Sequence, residues 1–410
     1  GGITLSRKKV LLLSDFNCAT GLATLAHNIV DLLLQTDNYD FDVIGINHTG
    51  EPYDFKKWPF PIYPARDFAK AGKNLWYDDP YGRPRFLNLL SSKDYDIVFT
   101  LPDLFIMESI ANRIVQIRQT KKFNWIYYYA VDGTLRESWI NNSVALADYP
   151  IAYTQFAKRE TLHINGAVNP QVIYLGINTK DFFPIPDIGS FRRMYFREHA
   201  DKFIVTNINR NQPRKDIPHT IAAFAKFKQQ RPHSLLYLHM NPADVGGNII
   251  EMAEFWGLKQ HVDFLVPEKY DDYHGYPIDT LNKLYNASDV LISTTLGEGW
   301  GLTVTEAMAT KTPVIIPDHT SLSEIGADGR ARLVKCGADY TCLGAIDFNR
   351  YRPLTDTTDL ISALVECHDN RECYRAMAER AYHWVLNLSW DIIGKQWLDI
   401  FEAASQKNLC

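Results

Sequence analysis

Gly297-Glu298-Gly299-Trp300-Gly301-Leu302-Thr303-Val304-Thr305-Glu306 is the stretch on which the reading of this chain turns. It follows Asp289-Val290-Leu291-Ile292-Ser293, a short apolar run of the kind that forms a buried strand. Three glycines then interrupt regular structure. From Thr303 to Thr310 the pattern is helical, with Thr303 as N-cap and Glu306 three residues on, the spacing of a capping box. Strand, glycine turn and helix N-terminus in succession present unpaired backbone N–H groups and the positive end of a helix dipole, which together suit a phosphate. Glu298 and Glu306 flank the turn with seven residues between them. Carboxylates so near a phosphate repel it; they serve better as acceptors for hydroxyl groups on either side. Read alone, Glu306 only caps its helix and Glu298 is a solvated loop residue.

The ten residues carry a resemblance. Glu298 to Glu306, then Ala307-Met308-Ala309 and Thr312-Pro313-Val314-Ile315, resemble the E-x7-E signature of retaining glycosyltransferases with the GT-B fold, especially the large GT4 family. Upstream Leu284-Tyr285-Asn286-Ala287-Ser288-Asp289 and downstream Ser323-Glu324-Ile325 fit the same pattern. The likeness is dense from about Lys202 to Lys335. It implies an α/β fold of two Rossmann-like doubly wound domains facing across a cleft, with a C-terminal helix crossing back to the first.

Length and composition allow this. A chain of 410 residues can hold two separate cores. Hydrophobic content of 46% and charged content of 22% are those of an ordinary globular protein. The formal net charge of −5 provides no general pull toward nucleic acid or an anionic membrane. Cys18, Cys336, Cys342, Cys367, Cys373 and Cys410 form no C-x-x-C pair and no zinc-like cluster, and read as reduced thiols of a cytoplasmic protein. No apolar run approaches the roughly 18 residues of a membrane span. The opening Gly1-Gly2-Ile3 lacks an apolar signal region and reads as the remnant of a cleaved tag.

Along the chain, Lys8 to Asp15 reads as a strand, and Leu22 to Leu34 as an amphipathic helix after a turn containing Gly21. There is no complete G-x-G-x-x-G. In the resembled family the first turn faces the donor, a place Gly21 matches, though a plain turn glycine reads as well. Phe41 to Asn47, Tyr95 to Leu101, Asn124 to Val131, Ile151 to Thr154 and Gln171 to Ile177 read as further strands. Trp125, Tyr127, Tyr128 and Tyr129 are core residues or a stacking wall, with core the better reading, because alternate strand residues must face a core. Glu51 to Arg85 is irregular and rich in Pro, Gly and aromatics, and is either an acceptor-recognition segment or an elaborated loop. Asp132 and Asp103 end strands, where open α/β sheets bind ligands. Relatives often carry a His-Asp-like pair at the first of these places. Here it reads Val131-Asp132, without the histidine, and Asp132 is the best carboxylate of the first domain.

Pro184, Pro186 and Gly189 mark a linker. The expected domains are 1–183 with the returning segment 389–410, an acceptor domain, and 184–388, a donor domain. The second repeats the alternation: strands at Phe203 to Ile208, Ser234 to Met240, Val262 to Val266, Pro313 to Pro317 and Ala331 to Lys335, with helices between and from Asp359 to Ser405. By resemblance, Arg210 and Lys215 grip the donor diphosphate with the backbone of Gly299, Trp300, Gly301, Leu302 and Thr303. Glu306 holds the ribose, Glu298 the transferred sugar, and the backbone at Val266 the base. Two cations can stabilise a departing nucleoside diphosphate without a metal, and Asp78-Asp79 and Asp271-Asp272 do not form an Asp-x-Asp metal turn. The implied activity is retaining transfer of a hexose-type sugar from a nucleotide sugar, UDP being the commonest carrier, to an acceptor hydroxyl on a glycan, glycoside or modified nucleic-acid base. No cofactor is expected. The alternatives are a non-catalytic sugar-nucleotide binder and a GT-B phosphorylase or epimerase. A phosphorylase needs a pyridoxal phosphate lysine that no segment suggests.

Overall fold

The computed structural model describes residues 6–270 and 275–406. Asp271-Asp272, Cys410 and the opening Gly1-Gly2-Ile3 lie outside them. The chain divides into two compact units. The first holds the described residues up to Val131, then Leu135–Gly176, then the segment from Trp390 onward; the second holds Asp132–Thr134 and Ile177–Ser389. The chain therefore changes unit at 131/132, 134/135, 176/177 and 389/390.

The first unit is built on seven strands: β1 (Lys8–Asp15), β2 (Tyr39–Ile46), β3 (Ile62–Pro64), β4 (Ile97–Thr100), β5 (Asn124–Tyr129), β6 (Tyr149–Ala152) and β7 (Gln171–Val172). All pair in parallel in the order β3-β2-β1-β4-β5-β6-β7. Val10 to Leu13 of β1 are fully buried, as a parallel strand covered on both faces requires. The helix Gly21–Gln35 starts where Thr20 accepts from the Ala23 amide, and it buries Leu25, Ile29, Val30 and Leu33. β3 falls inside the stretch expected to be irregular. It is three residues between prolines, too short to show a period, and it gains its hydrogen bonds from the edge of β2.

The aromatic run of β5 is core. Trp125, Tyr127, Tyr128 and Tyr129 are fully buried. Each polar tip is satisfied: Trp125 Nε1 on Thr100 Oγ1 at 2.9 Å, Tyr127 on the Pro102 carbonyl at 2.7 Å, Tyr128 on the Ile173 carbonyl at 2.6 Å, and Tyr129 with Thr161 at 2.7 Å. The helix Trp390–Gln406 completes this unit. Trp397 is fully buried, with its ring 4.6 Å from Tyr128 and 5.4 Å from Phe99, and Phe401 lies 5.2 Å from Phe99.

The second unit repeats the plan with β8 (Phe203–Ile208), β9 (Ser234–His239), β12 (Phe264–Leu265), β13 (Val290–Ile292), β14 (Val314–Pro317) and β15 (Arg332–Val334). They form a parallel sheet ordered β12-β9-β8-β13-β14-β15. Two short antiparallel ribbons, β10 (Ala243–Asp244) with β11 (Gly247–Asn248), and β16 (Cys336–Cys342) with β17 (Tyr351–Thr355), were not legible in the sequence. The order runs one way from β8 and the other way from β13, so these neighbours form the switch point, and their C-terminal loops open side by side.

Replacing Trp397 by alanine removes the ring that fills the space between Phe99 and Tyr128. It is expected to cost the first unit about 3–5 kcal/mol of unfolding free energy, read by urea denaturation.

Candidate functional site

The loops after β8 and β13 are tied together at the switch point. The Leu296 amide donates to the Arg214 carbonyl at 2.8 Å, and Thr294 Oγ1 donates to the Asp216 carbonyl at 2.7 Å. After β8, residues Pro213–Lys215 form a single 3-10 turn, and Asp216 leads in a left-handed conformation into the helix Ile217–Gln230. That turn aims Arg214 and Lys215 at the loop after β13. Lys215 Nζ lies 2.5 Å from Glu298 Oε1, and Arg214 Nη1 lies 3.4 Å from Glu298 Oε2 and bonds the Gly297 carbonyl. Both Lys215 and Glu298 side chains are 12% exposed. Burial alone pushes the Glu298 carboxyl up, but Lys215 and Arg214 outweigh it and hold the group at about 2.

Thr320 and Ser321 staple the same loop. The Glu298 amide donates to Thr320 Oγ1 at 3.1 Å, and Ser321 Oγ donates to the Glu298 carbonyl at 2.9 Å. Gly297 has no room for a side chain, since a Cβ there would stand 2.0 Å from the Asp132 carbonyl oxygen. Gly301 has φ +121°, a region that admits glycine almost alone.

The expected capping box is not formed. The helix spans Leu302–Ala309, its N-cap is Gly301, and no side chain caps it. Thr303 is the second helical residue, and Glu306 lies too far along the helix to reach back. The Val304 amide donates to the Gly301 carbonyl at 3.1 Å, while the amides of Leu302 and Thr303 keep no intrahelical acceptor. Glu306 instead accepts from the Tyr285 hydroxyl at 2.5 Å. Burial raises its carboxyl to about 7, the Tyr285 bond lowers it in part, and Asp181 adds to the rise.

Asp132 was expected as a carboxylate of the first domain. It groups with the second unit, because its partners lie there. Arg352 Nη2 is 3.1 Å and Arg350 Nη1 3.3 Å from its Oδ1, and Arg214 Nε is 3.8 Å from its Oδ2. Burial opposes ionisation, yet Arg214, Arg352 and Arg350 hold Asp132 at about 2. Asp347 accepts from Arg350 at 2.8 Å and Arg352 at 2.5 Å. Lys215, Arg214, Arg352 and Arg350 thus face Glu298, Asp132 and Asp347, an alternating cluster with one net positive charge.

Other expected residues fall elsewhere. Arg210 stands directly at the end of β8, before the turn that would aim it inward. Its side chain is 63% exposed and pairs with Asp244 of β10 at 3.4 Å. The arginine beside Glu298 is Arg214, the chain neighbour of Lys215. Gly21 is exposed and opens the first helix of its own unit. Val266, just after β12, is half-buried against the second unit's core. Asp103 is exposed ahead of the helix Leu104–Glu108. Asp78 pairs with Arg66 at 3.0 Å and Asp79 with Arg83 at 2.6 Å. Among the described residues no group of three or more His, Cys, Asp or Glu is arranged to hold a metal, none of the described cysteines is in a disulfide, and no helix is long and apolar enough to cross a membrane. Arg214, Tyr285, Thr320, Ser321, Asp347, Arg350 and Arg352 were missed. The adjacent cations Arg214-Lys215 were the one usable signal; the rest act from separate segments.

Two parallel α/β units of this topology, with the paired loops at the second switch point, are the fold of the GT-B glycosyltransferases. Sucrose-phosphate synthase from Thermosynechococcus elongatus superposes with a TM-score of 0.73 at 18% identity, covering 97% of this chain and 99% of that one. HepE of Anabaena, solved in complex with UDP and glucose, gives 0.70 at 17% identity, covering 97% and 100%. Residues 193–341 match the family model of glycosyl transferases group 1, so the second unit carries a domain of that family. A putative glycosyltransferase, EpsD of Bacillus subtilis, is 28% identical over 225 residues, 52% of each chain. The D-inositol 3-phosphate glycosyltransferase of Nocardia farcinica is 26% identical over 49% of this chain and 40% of its own length. The chain thus spans about half the length of these curated relatives, or less.

A raised carboxyl in the folded state means that folding holds a proton which the unfolded chain releases above its ordinary value of 4.5. The contribution is therefore complete below 4.5 and is lost as pH rises through about 7. Wild-type stability relative to Glu306→Gln should fall across that window by on the order of 2 kcal/mol, allowing for partial exposure. Denaturation curves at pH 4.5, 6 and 8 would show it, and a flat difference would contradict it.

Proposed function

We propose that this chain is a retaining glycosyltransferase that takes its sugar from a nucleoside diphosphate held by the second unit and passes it to an acceptor hydroxyl. The observation that carries the reading is the half-buried cation pair Arg214 and Lys215, locked on Glu298 beside the uncapped first turn of the helix Leu302–Ala309. The cluster's one excess positive charge asks for an anion. A diphosphate bound to Lys215, Arg214 and the first-turn amides of Leu302 and Thr303 supplies it.

Binding would release the Glu298 carboxylate from Lys215. It would then be an ionised acceptor free to take hydroxyl protons of the transferred sugar. Glu306, two helical turns from the glycines, would accept from the two ribose hydroxyls. In the transfer, the bond between the anomeric carbon and the diphosphate oxygen breaks and the bond to the acceptor oxygen forms on the same face. The acceptor proton passes to the departing phosphate. Lys215 and Arg214 stabilise the charge that develops there, and the reaction asks no metal of the protein. Asp132 would act through Arg214, and Arg210, from its exposed position, would at most assist entry of the anion. Val266 would line the donor at the base. Uridine is the first base to test, since HepE, with the same fold, was solved with UDP. The acceptor would be a glycan, a glycoside or a modified base, and the place of work the cytoplasm, where nucleotide sugars are made.

The test is thermal stabilisation by a panel of nucleoside diphosphates and their sugars, since a ligand that binds only the native state raises the melting temperature with its affinity. One nucleotide should stabilise the wild type and lose its effect in Glu306→Ala. Lys215→Met should lower donor turnover by about 10²-fold or more. No stabilisation by any nucleotide at millimolar concentration would remove the reading; stabilisation without turnover or donor hydrolysis would turn it toward a sugar-nucleotide binder. A second expectation follows from Glu306. Affinity for the nucleotide sugar, whose phosphates do not titrate near neutrality, should rise between pH 6 and 8 and be pH-independent in Glu306→Gln.

A further inference from the structure

Asp347, Arg350 and Arg352 lie past residue 341, where the match to the family ends, in the ribbon of β16 and β17 and the turn that joins them. Arg352 is 2% exposed. Burying a guanidinium is costly unless its donors are used, and here four of the five N–H groups are engaged. Nε and Nη2 donate to Asp347 at 2.5 and 2.9 Å, Nη1 donates to the Asp132 carbonyl at 2.6 Å, and Nη2 donates to Asp132 Oδ1 at 3.1 Å. Arg350 adds bonds to Asp132 Oδ1 at 3.3 Å and to the Thr134 carbonyl at 3.2 Å. The planar fork leaves Asp132 one orientation.

That orientation turns the second carboxylate oxygen toward Arg214 Nε, 3.8 Å away. It also seats the backbone under Gly297. A Cβ at that glycine would be 2.0 Å from the Asp132 carbonyl oxygen and 2.5 Å from Arg352 Nη1, so the loop that carries Glu298 rests directly on the clamped group. We propose that Arg352 is a positioning residue of the donor site: anchored by Asp347, it holds Asp132 against Gly297 and thereby aims Arg214 at Glu298 and at the diphosphate. The proposal rests on the donor-site reading above. Its contact with the ligand is indirect, through Arg214 and the Gly297–Glu298 backbone, and its source is a ribbon outside the matched family domain.

The test uses the full chain with Arg352→Met and Arg352→Lys, and Asp347→Asn as a milder variant should either fail to fold. Hydrogen exchange read by mass spectrometry should show the amides of Leu296, Gly297 and Glu298 exchanging about 10-fold faster or more in Arg352→Met, with β8 and β14 unchanged. Affinity for UDP should fall by about 10–100-fold, as for a misplacement of the order of an ångström. The same substitution placed on Arg214→Met should cost almost nothing further, because its effect runs through Arg214. Lysine, which keeps the charge but not the fork, should not restore the wild type. Unchanged exchange at the loop, faster exchange throughout the second unit, additive losses with Arg214→Met, or rescue by lysine would each overturn the proposal. If the wild type binds no nucleotide, the donor reading falls, and the exchange comparison still decides the clamp.

Discussion

The half-buried pair of Lys215 and Glu298 is the interaction on which the loop edge of the second unit's sheet depends. Neither charge could stand alone where it is, since removing one partner of such a pair typically costs about 3–5 kcal/mol. The pair is therefore part of a longer alternation. Arg214 shares Glu298 with Lys215 and Asp132 with Arg352, and Arg352 in turn shares Asp347 with Arg350. Each charge is neutralised by the next, and the series ends with a cation more than its anions.

Sheet order is what brings the pair together. Lys215 follows β8 and Glu298 follows β13, eighty-three residues apart in the chain. In the sheet β8 and β13 are neighbours at the one place where the strand order reverses. Loops at that point open outward without a crossing helix between them, so two polar turns can meet edge to edge. Glycine then makes the meeting close. Gly297 lets the loop lie on the Asp132 carbonyl, and Gly301 turns the chain into the helix whose first amides stay open.

The two carboxylates that frame this loop behave oppositely, and the cause lies in their neighbours. Both are shielded from water, which on its own raises a carboxyl. Glu298 has two cations against it and is held ionised at about 2; Glu306 has only the Tyr285 hydroxyl in its favour and Asp181 against it, and rises to about 7. Identical residue types eight positions apart thus divide into a permanent anion and a group that titrates near neutrality.

Sequence pattern reached far into this protein. The apolar runs at Val10–Leu13, Phe203–Val205 and Val290–Ile292 have to be buried strands, because contiguous apolar residues find no other place in water. The repeating alternation then requires parallel sheets, and the glycines around Glu298 require an irregular turn before the helix. Glu298 and Glu306 stood out by their places around that turn, and Lys215 by the family resemblance. Tertiary structure decided what local pattern cannot encode. It turned Arg214 rather than Arg210 toward Glu298, because a 3-10 turn rotates the chain after Arg210 has left the strand. It gave Glu306 to Tyr285 instead of a capping box, because Gly301 caps the helix two residues earlier than Thr303 would. It moved Asp132 into the second unit, because Arg350 and Arg352, more than two hundred residues away, supply its counter-charges. Hydrophobic burial acts along a segment and is written there; charge pairing in a low-dielectric interior acts across segments, and only the folded chain sets those partners.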